Sequence, residues 1–223
     1  MGKIGTYLEQ VVEAFRSIRP RRRNNTIDSL ATLEQFSSTR AAFISQKTMY
    51  GYVKARMGTK FVEMFRDPLI IQSVNIAKMH HFAACLSDLC IFVTARALAD
   101  PRFDDAARRA LAERMFAFGM DENKDAGTAE FDSEQAKREF HQRVLFINWS
   151  GSLDVRDVFT HSPQSIMRWA PIADHLKALD KEYVENSVKF AWIEIGRQFE
   201  KHFVADETRA DVLAANLAGA AVK

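Results

Sequence analysis

A chain of 223 residues with 47% hydrophobic and 27% charged residues has the make-up of a folded domain with a sizeable core, not of a disordered segment. Nine glycines and five prolines are too few for a strand-and-turn architecture, and 17 phenylalanines point to a core built on large aromatic side chains. A formal net charge of +2 argues against a nucleic-acid-coating protein, which needs a broadly basic surface to meet a phosphate backbone.

The first element is an amphipathic helix. Ile4, Leu8, Val11, Val12, Phe15 and Ile18 recur at helical spacing, with Lys3, Glu9, Glu13 and Arg16 opposite, and Pro20 ends the pattern. The stretch RPRRRNNTIDSL follows, with four arginines at Arg19, Arg21, Arg22 and Arg23. Residues 1–23 hold six basic and two acidic side chains, a balance of +4, so the other 200 residues sum to −2. Basic charge segregated beside an amphipathic helix suits an acidic protein groove or an anionic membrane surface; the alternative is a solvated hinge. The arginine fork binds carboxylate and phosphate in pairs of hydrogen bonds, which favours a docking role for the four arginines.

A second helix is expected from a cap at Asn25 or Thr26 to Met57, stopped by Gly58, with a weak point at Ser37, Ser38 and Thr39. FVEMF forms a short helix, and Asp67-Pro68 opens a long one from Leu69 to about Ala99. That helix is apolar on nearly all sides after Phe82, which marks the centre of the fold. Its longest uncharged stretch is interrupted by Asp88 and falls short of the roughly 20 apolar residues of a membrane span. DDAARRALAERMFAF is a surface helix ending at Gly119, and DENKDAGTAE is a loop. A helix capped by Ser133 runs to Trp149, and Ser162-Pro163 starts a short segment with Met167 and Trp169. The last long helix spans about Pro171 to Phe203 with Leu176, Leu179, Tyr183, Phe190, Ile195 and Phe199 near its apolar face, and residues 206–223 form a frayed alanine-rich tail. The expected fold is all-α: six to eight helices in an irregular bundle around the central apolar helix, with one domain over 24–205.

Catalytic motifs are sparse. No nucleophile-elbow pattern and no Glu-x-x-His pair occurs, and the nearest serine turn is NWSGS, with His161 nine residues beyond Ser152. His80 and His81 adjoin, so one faces the core and the other solvent. Cys85 and Cys90 lie five apart on one helix, on different faces, and read as buried reduced thiols, not a disulfide or metal pair. No cofactor or metal is expected, and no catalytic residue is assigned.

KTMYGYVKARMG resembles the recognition-helix segment of tetracycline-repressor-type regulators through Thr48, Met49, Tyr50, Tyr52, Val53 and Lys54. The same residues also read as an ordinary amphipathic helix end, and AAFISQ upstream carries no glycine turn. More broadly, Arg19–Phe61, Ser73–Leu89, Arg168–Lys177 and Val184–Trp192 resemble a group of small all-helical alphaproteobacterial proteins, some of them labelled esterases. That resemblance implies a carboxylic ester hydrolase, while the reduced thiols point to a cytoplasmic protein. The residues themselves favour a non-enzymatic adaptor, regulator or assembly factor. Its partner is an acidic protein or an anionic surface at the inner membrane, nucleic acid is disfavoured, and a homodimer is left open.

Overall fold

A computed structural model describes residues 26–124, 129–149 and 158–215. Among them the chain is all-α, and its only extended pairing is a single parallel bridge between Ile27 and Phe203. The helices are α1 (Leu30–Met57), the one-turn α2 (Phe61–Met64), α3 (Pro68–Ala97), α4 (Asp105–Glu122), α5 (Ser133–Leu145), α6 (His161–Trp169), α7 (Asp174–His202) and α8 (Ala205–Ala214). The first amphipathic segment and its arginines, Arg19, Arg21, Arg22 and Arg23, lie outside the described residues, as does Ser152.

The helix ends follow local chemistry. Asp67 accepts from the Leu69 N–H and Pro68 occupies the first helical position of α3. Asp104 and Asp132 cap α4 and α5 by accepting from the N–H groups of Ala107 and Gln135. Ser133 is thus the first helical residue, and its neighbour is the cap. The cap of α1 is Ser29, in a reciprocal pair with Thr32, not Asn25 or Thr26. Gly58 ends α1 at φ +55°, where a Cβ would be strained.

α1 does not break at its serines. Ser37 donates to the Leu33 carbonyl and Thr39 to the Gln35 carbonyl, so both hydroxyls are absorbed by the preceding turn. Gly119 does not end α4, which continues to Glu122. A Cβ there would lie 2.6 Å from Leu86 Cδ2, so this glycine permits close approach to α3.

α3 sits at the centre, packed by α1, α4, α6 and, less extensively, α5 and α8. By length and composition it could cross a bilayer, but most of its apolar window is buried inside the fold. The phenylalanine-rich core forms a run of ring contacts: Trp192 on Phe159 at 4.5 Å, Phe159 to Phe92 at 5.4 Å, Phe92 to Phe199 at 6.1 Å, and Phe199 on Phe203 at 4.8 Å. α1 and α7 run antiparallel, since Phe36 meets Phe199 while Arg56 pairs with Asp180. The alanine-rich end expected to fray is helical to Ala214 and docked: Asp211 accepts from the Leu30 N–H at 2.7 Å and Thr208 donates to the Ile27 carbonyl at 3.1 Å. A capping carboxylate reaching α1 from 181 residues away leaves no local sequence signal.

α7 turns a different side to the core from the one its apolar spacing suggests. Its core face is Val184, Val188, Trp192, Ile195, Gly196 and Phe199, whereas Leu179, Tyr183 and Phe190, expected on that face, are exposed. The helix carries apolar residues on two sides, so periodicity alone could not choose the inner one.

Candidate functional site

The strongest polar cluster surrounds Asp88, the charge that interrupts the apolar run of α3. Its side chain is fully buried. Oδ1 pairs with Arg143 Nη1 of α5 at 2.7 Å and accepts from the His161 N–H at 3.3 Å. Oδ2 accepts from the Ser162 N–H at 2.8 Å and from the Ser162 hydroxyl at 2.7 Å. α6 has no capping side chain of its own, so Asp88 acts as its N-cap from another helix. Trp192 Nε1 of α7 then donates to Ser162 Oγ at 2.8 Å, and Arg143 also reaches Ser87 Oγ and the Val158 carbonyl. One carboxylate therefore joins α3, α5, α6 and α7.

A serine, a histidine and an aspartate thus meet, but their wiring is structural. Ser162 Oγ donates to a carboxylate already neutralised by arginine and accepts from the indole, so no base stands ready for its proton. His161 contributes its backbone N–H to Asp88; burial, then the Arg143 charge, holds its ring below the usual histidine range. Ser162 has no exposed surface for a substrate.

A second buried group lies about two turns before Asp88 on α3. His81 Nε2 is 2.8 Å from Thr48 Oγ1, and the Thr48 hydroxyl donates to the Ile44 carbonyl at 2.7 Å. The hydroxyl proton being committed, Nε2 carries the histidine proton and donates. Cys85 Sγ lies 3.7 Å from Nε2. Burial pushes His81 down to about 3 and pushes the Cys85 thiol up, so neither reaches the thiolate–imidazolium state of a cysteine nucleophile. Cys90 is buried and raised in the same way. His80 points elsewhere, stacked on Trp169 at 3.4 Å with Phe131 at its edge.

The regulator-like segment is the C-terminal third of uninterrupted α1. Met49, Tyr52 and Val53 are buried, and the Tyr52 hydroxyl donates to Asp180 Oδ2 at 2.9 Å, beside the bidentate Arg56–Asp180 pair. Burial and the Asp180 contact raise that phenol to about 12, and Arg56 holds the Asp180 carboxyl below its usual range. These side chains are thus engaged within the fold, with no turn before them.

A groove of about 490 Å³ lies between α1 and α7, lined by Arg40, Glu194, Arg197, Gln198, Lys201 and His202. Three cations face one carboxylate. The Arg40 guanidinium carbon lies 5.8 Å from the Phe36 ring centroid, and burial lowers its pKa, with no opposing carboxylate among the described residues. Gln198 Nε2 donates to Glu194 Oε1 at 3.1 Å, which fixes the amide orientation and leaves Gln198 Oε1 buried without a partner. Nothing local marks this set in the sequence: Arg40 and Lys201 are 161 positions apart. The arginines singled out from sequence, Arg19, Arg21, Arg22 and Arg23, lie outside the described residues. Among the described residues no cluster of histidine, cysteine, aspartate and glutamate has metal-binding geometry. Comparison of the chain with family models, with curated proteins and with solved structures finds no match.

Proposed function

We propose that the protein is a non-enzymatic helical interaction module that takes an acidic peptide segment of a partner protein into the groove between α1 and α7. The observation that carries this reading is Arg40, a partly desolvated guanidinium that meets no carboxylate among the described residues, standing with Arg197 and Lys201 beside Glu194. A cation so placed is stabilised by an incoming carboxylate more than a solvated one is, because less water screens the pair. The basic cluster Arg19, Arg21, Arg22 and Arg23 extends the same chemistry in the sequence. The hydrolase alternative has less support: among the described residues, Ser162, which lies beside His161 and Asp88, is buried and spends its hydroxyl on Asp88.

The test is fluorescence anisotropy with a labelled short oligo-glutamate peptide. Binding is expected at low salt and is lost at high salt, as the Debye length falls from about 10 Å at 0.1 M to about 3 Å at 1 M. Arg40→Gln with Lys201→Gln is expected to weaken it about tenfold, the equivalent of roughly 1.4 kcal/mol. Equal affinity for wild type and the double variant overturns the groove assignment. Binding to anionic vesicles but not to the peptide redirects the reading to a membrane surface.

A further inference from the structure

The outer side of α7 carries an ordered apolar row. Leu179, Tyr183, Phe190 and Ile193 are 78%, 80%, 71% and 40% exposed, while Val184, Val188, Trp192, Ile195 and Phe199 fill the core side. With exposed Asn186, the outer residues step by four, three, four and three, the spacing of a heptad seam. At roughly 100° per residue this seam lies about half a turn around the helix from the core face, and it extends about 21 Å from Leu179 to Ile193. Scattered exposed apolar residues are ordinary, but a contiguous row at seam spacing is a surface made for a helix.

We infer that the row is a homodimer interface in which α7 packs antiparallel against α7 of a second copy. Charge complementarity selects the occupant, the direction and the register. Tyr183 and Phe190 take one seam position, and Leu179, Asn186 and Ile193 take the other. Glu182 and Lys189 flank one side; Ser187, Glu194 and Asp180, the last already neutralised by Arg56, flank the opposite side. Setting Leu179 against Phe190 of the second copy also sets Tyr183 against Asn186. On the flanks, Glu182 then meets Lys189, twice by the two-fold symmetry of the dimer, and Asp180 meets the neutral Ser187. Sliding one heptad toward the C-terminus puts Lys189 against its own copy. Sliding the other way puts Glu182 against Glu182. A parallel pair stacks Arg197 on itself at the next seam position. The self-complementary antiparallel register alone avoids every like-charge meeting. Asn186, the one polar residue within the row, fits the register-fixing use of a seam amide.

The seam is short, so the dimer is expected to form and dissociate reversibly with concentration, at the weak end of specific interfaces. Sedimentation equilibrium of the full chain tests the inference. Wild type is expected to move from monomer to dimer across the micromolar range, and Phe190→Glu is expected to weaken this at least tenfold with an unchanged melting temperature. Glu182→Lys and Lys189→Glu should each weaken association, and the double variant should restore it, because the reversed residues again face opposite charges. A wild type that stays monomeric throughout overturns the inference. So does a dimer indifferent to Phe190→Glu, or one that the double variant fails to restore, since parallel pairing would instead set Lys189 against Glu194. A monomer destabilised by Phe190→Glu assigns the row to another segment of the same chain and likewise overturns it.

Discussion

Removing the Asp88 carboxylate tests the structural reading of the buried cluster most severely. Asp88→Ala deletes the partner of Arg143, whose side chain is only 12% exposed, and the acceptors for the Ser162 hydroxyl and the first N–H groups of α6. Breaking a buried ion pair on one side costs roughly 3–5 kcal/mol, because the remaining charge stays desolvated. The lost cap adds about 1 kcal/mol to that range at most, since the two losses share one relaxation. Asp88→Asn keeps an acceptor but not the charge and is expected to cost less, about 2 kcal/mol. Adding Arg143→Met to Asp88→Ala removes the stranded cation, so the double variant should be more stable than the sum of the two single losses by at least about 1 kcal/mol. Urea unfolding followed by circular dichroism at 222 nm, with the slope compared across variants, measures each term. An Asp88→Ala variant within about 1 kcal/mol of wild type, or strict additivity with Arg143→Met, would refute the reasoning.

Other outcomes follow from the same contacts. His81 is lowered from 6.5 to about 3, so between those values the unfolded chain binds more protons than the folded one, and stability falls as pH falls; the expected loss from pH 7 to pH 5 is about 2 kcal/mol, and His81→Leu should remove that part of the slope. Cys85 and Cys90 should resist a thiol reagent in the native protein and react fully in denaturant; rapid native labelling contradicts their burial. Arg21, Arg22 and Arg23 changed together to Gln should leave the melting temperature within a few degrees and weaken oligo-glutamate binding; a drop of many degrees would mean that these arginines pair with carboxylates inside the fold.

The sequence carried the helices well wherever the signal was local. Asp67-Pro68 and Gly58 marked their boundaries, and the all-round apolar run after Phe82 marked α3 as the centre. It failed where the deciding contact was distant. Asp88 stood out only as an interruption, because Arg143, Ser162 and Trp192 approach it from three other helices. Gly119 looked like a stop because a close approach to Leu86 leaves the same residue type as a C-cap. α7 misled because both of its sides are apolar, and only packing against Phe36, Phe159 and Phe92 distinguishes the core face from the seam. The groove was invisible for a related reason: Arg40 reads as an ordinary solvated charge until α7 is laid beside α1.

Backbone amide chemical shifts during a titration with oligo-glutamate test the central claim directly. Perturbations are expected to concentrate at Arg40 on α1 and at Glu194, Arg197, Gln198 and Lys201 on α7, and to fade as salt is raised. Shifts centred instead on His161 and Ser162 at the start of α6, with the groove unmoved, would contradict it and return the buried serine cluster to consideration as the working site.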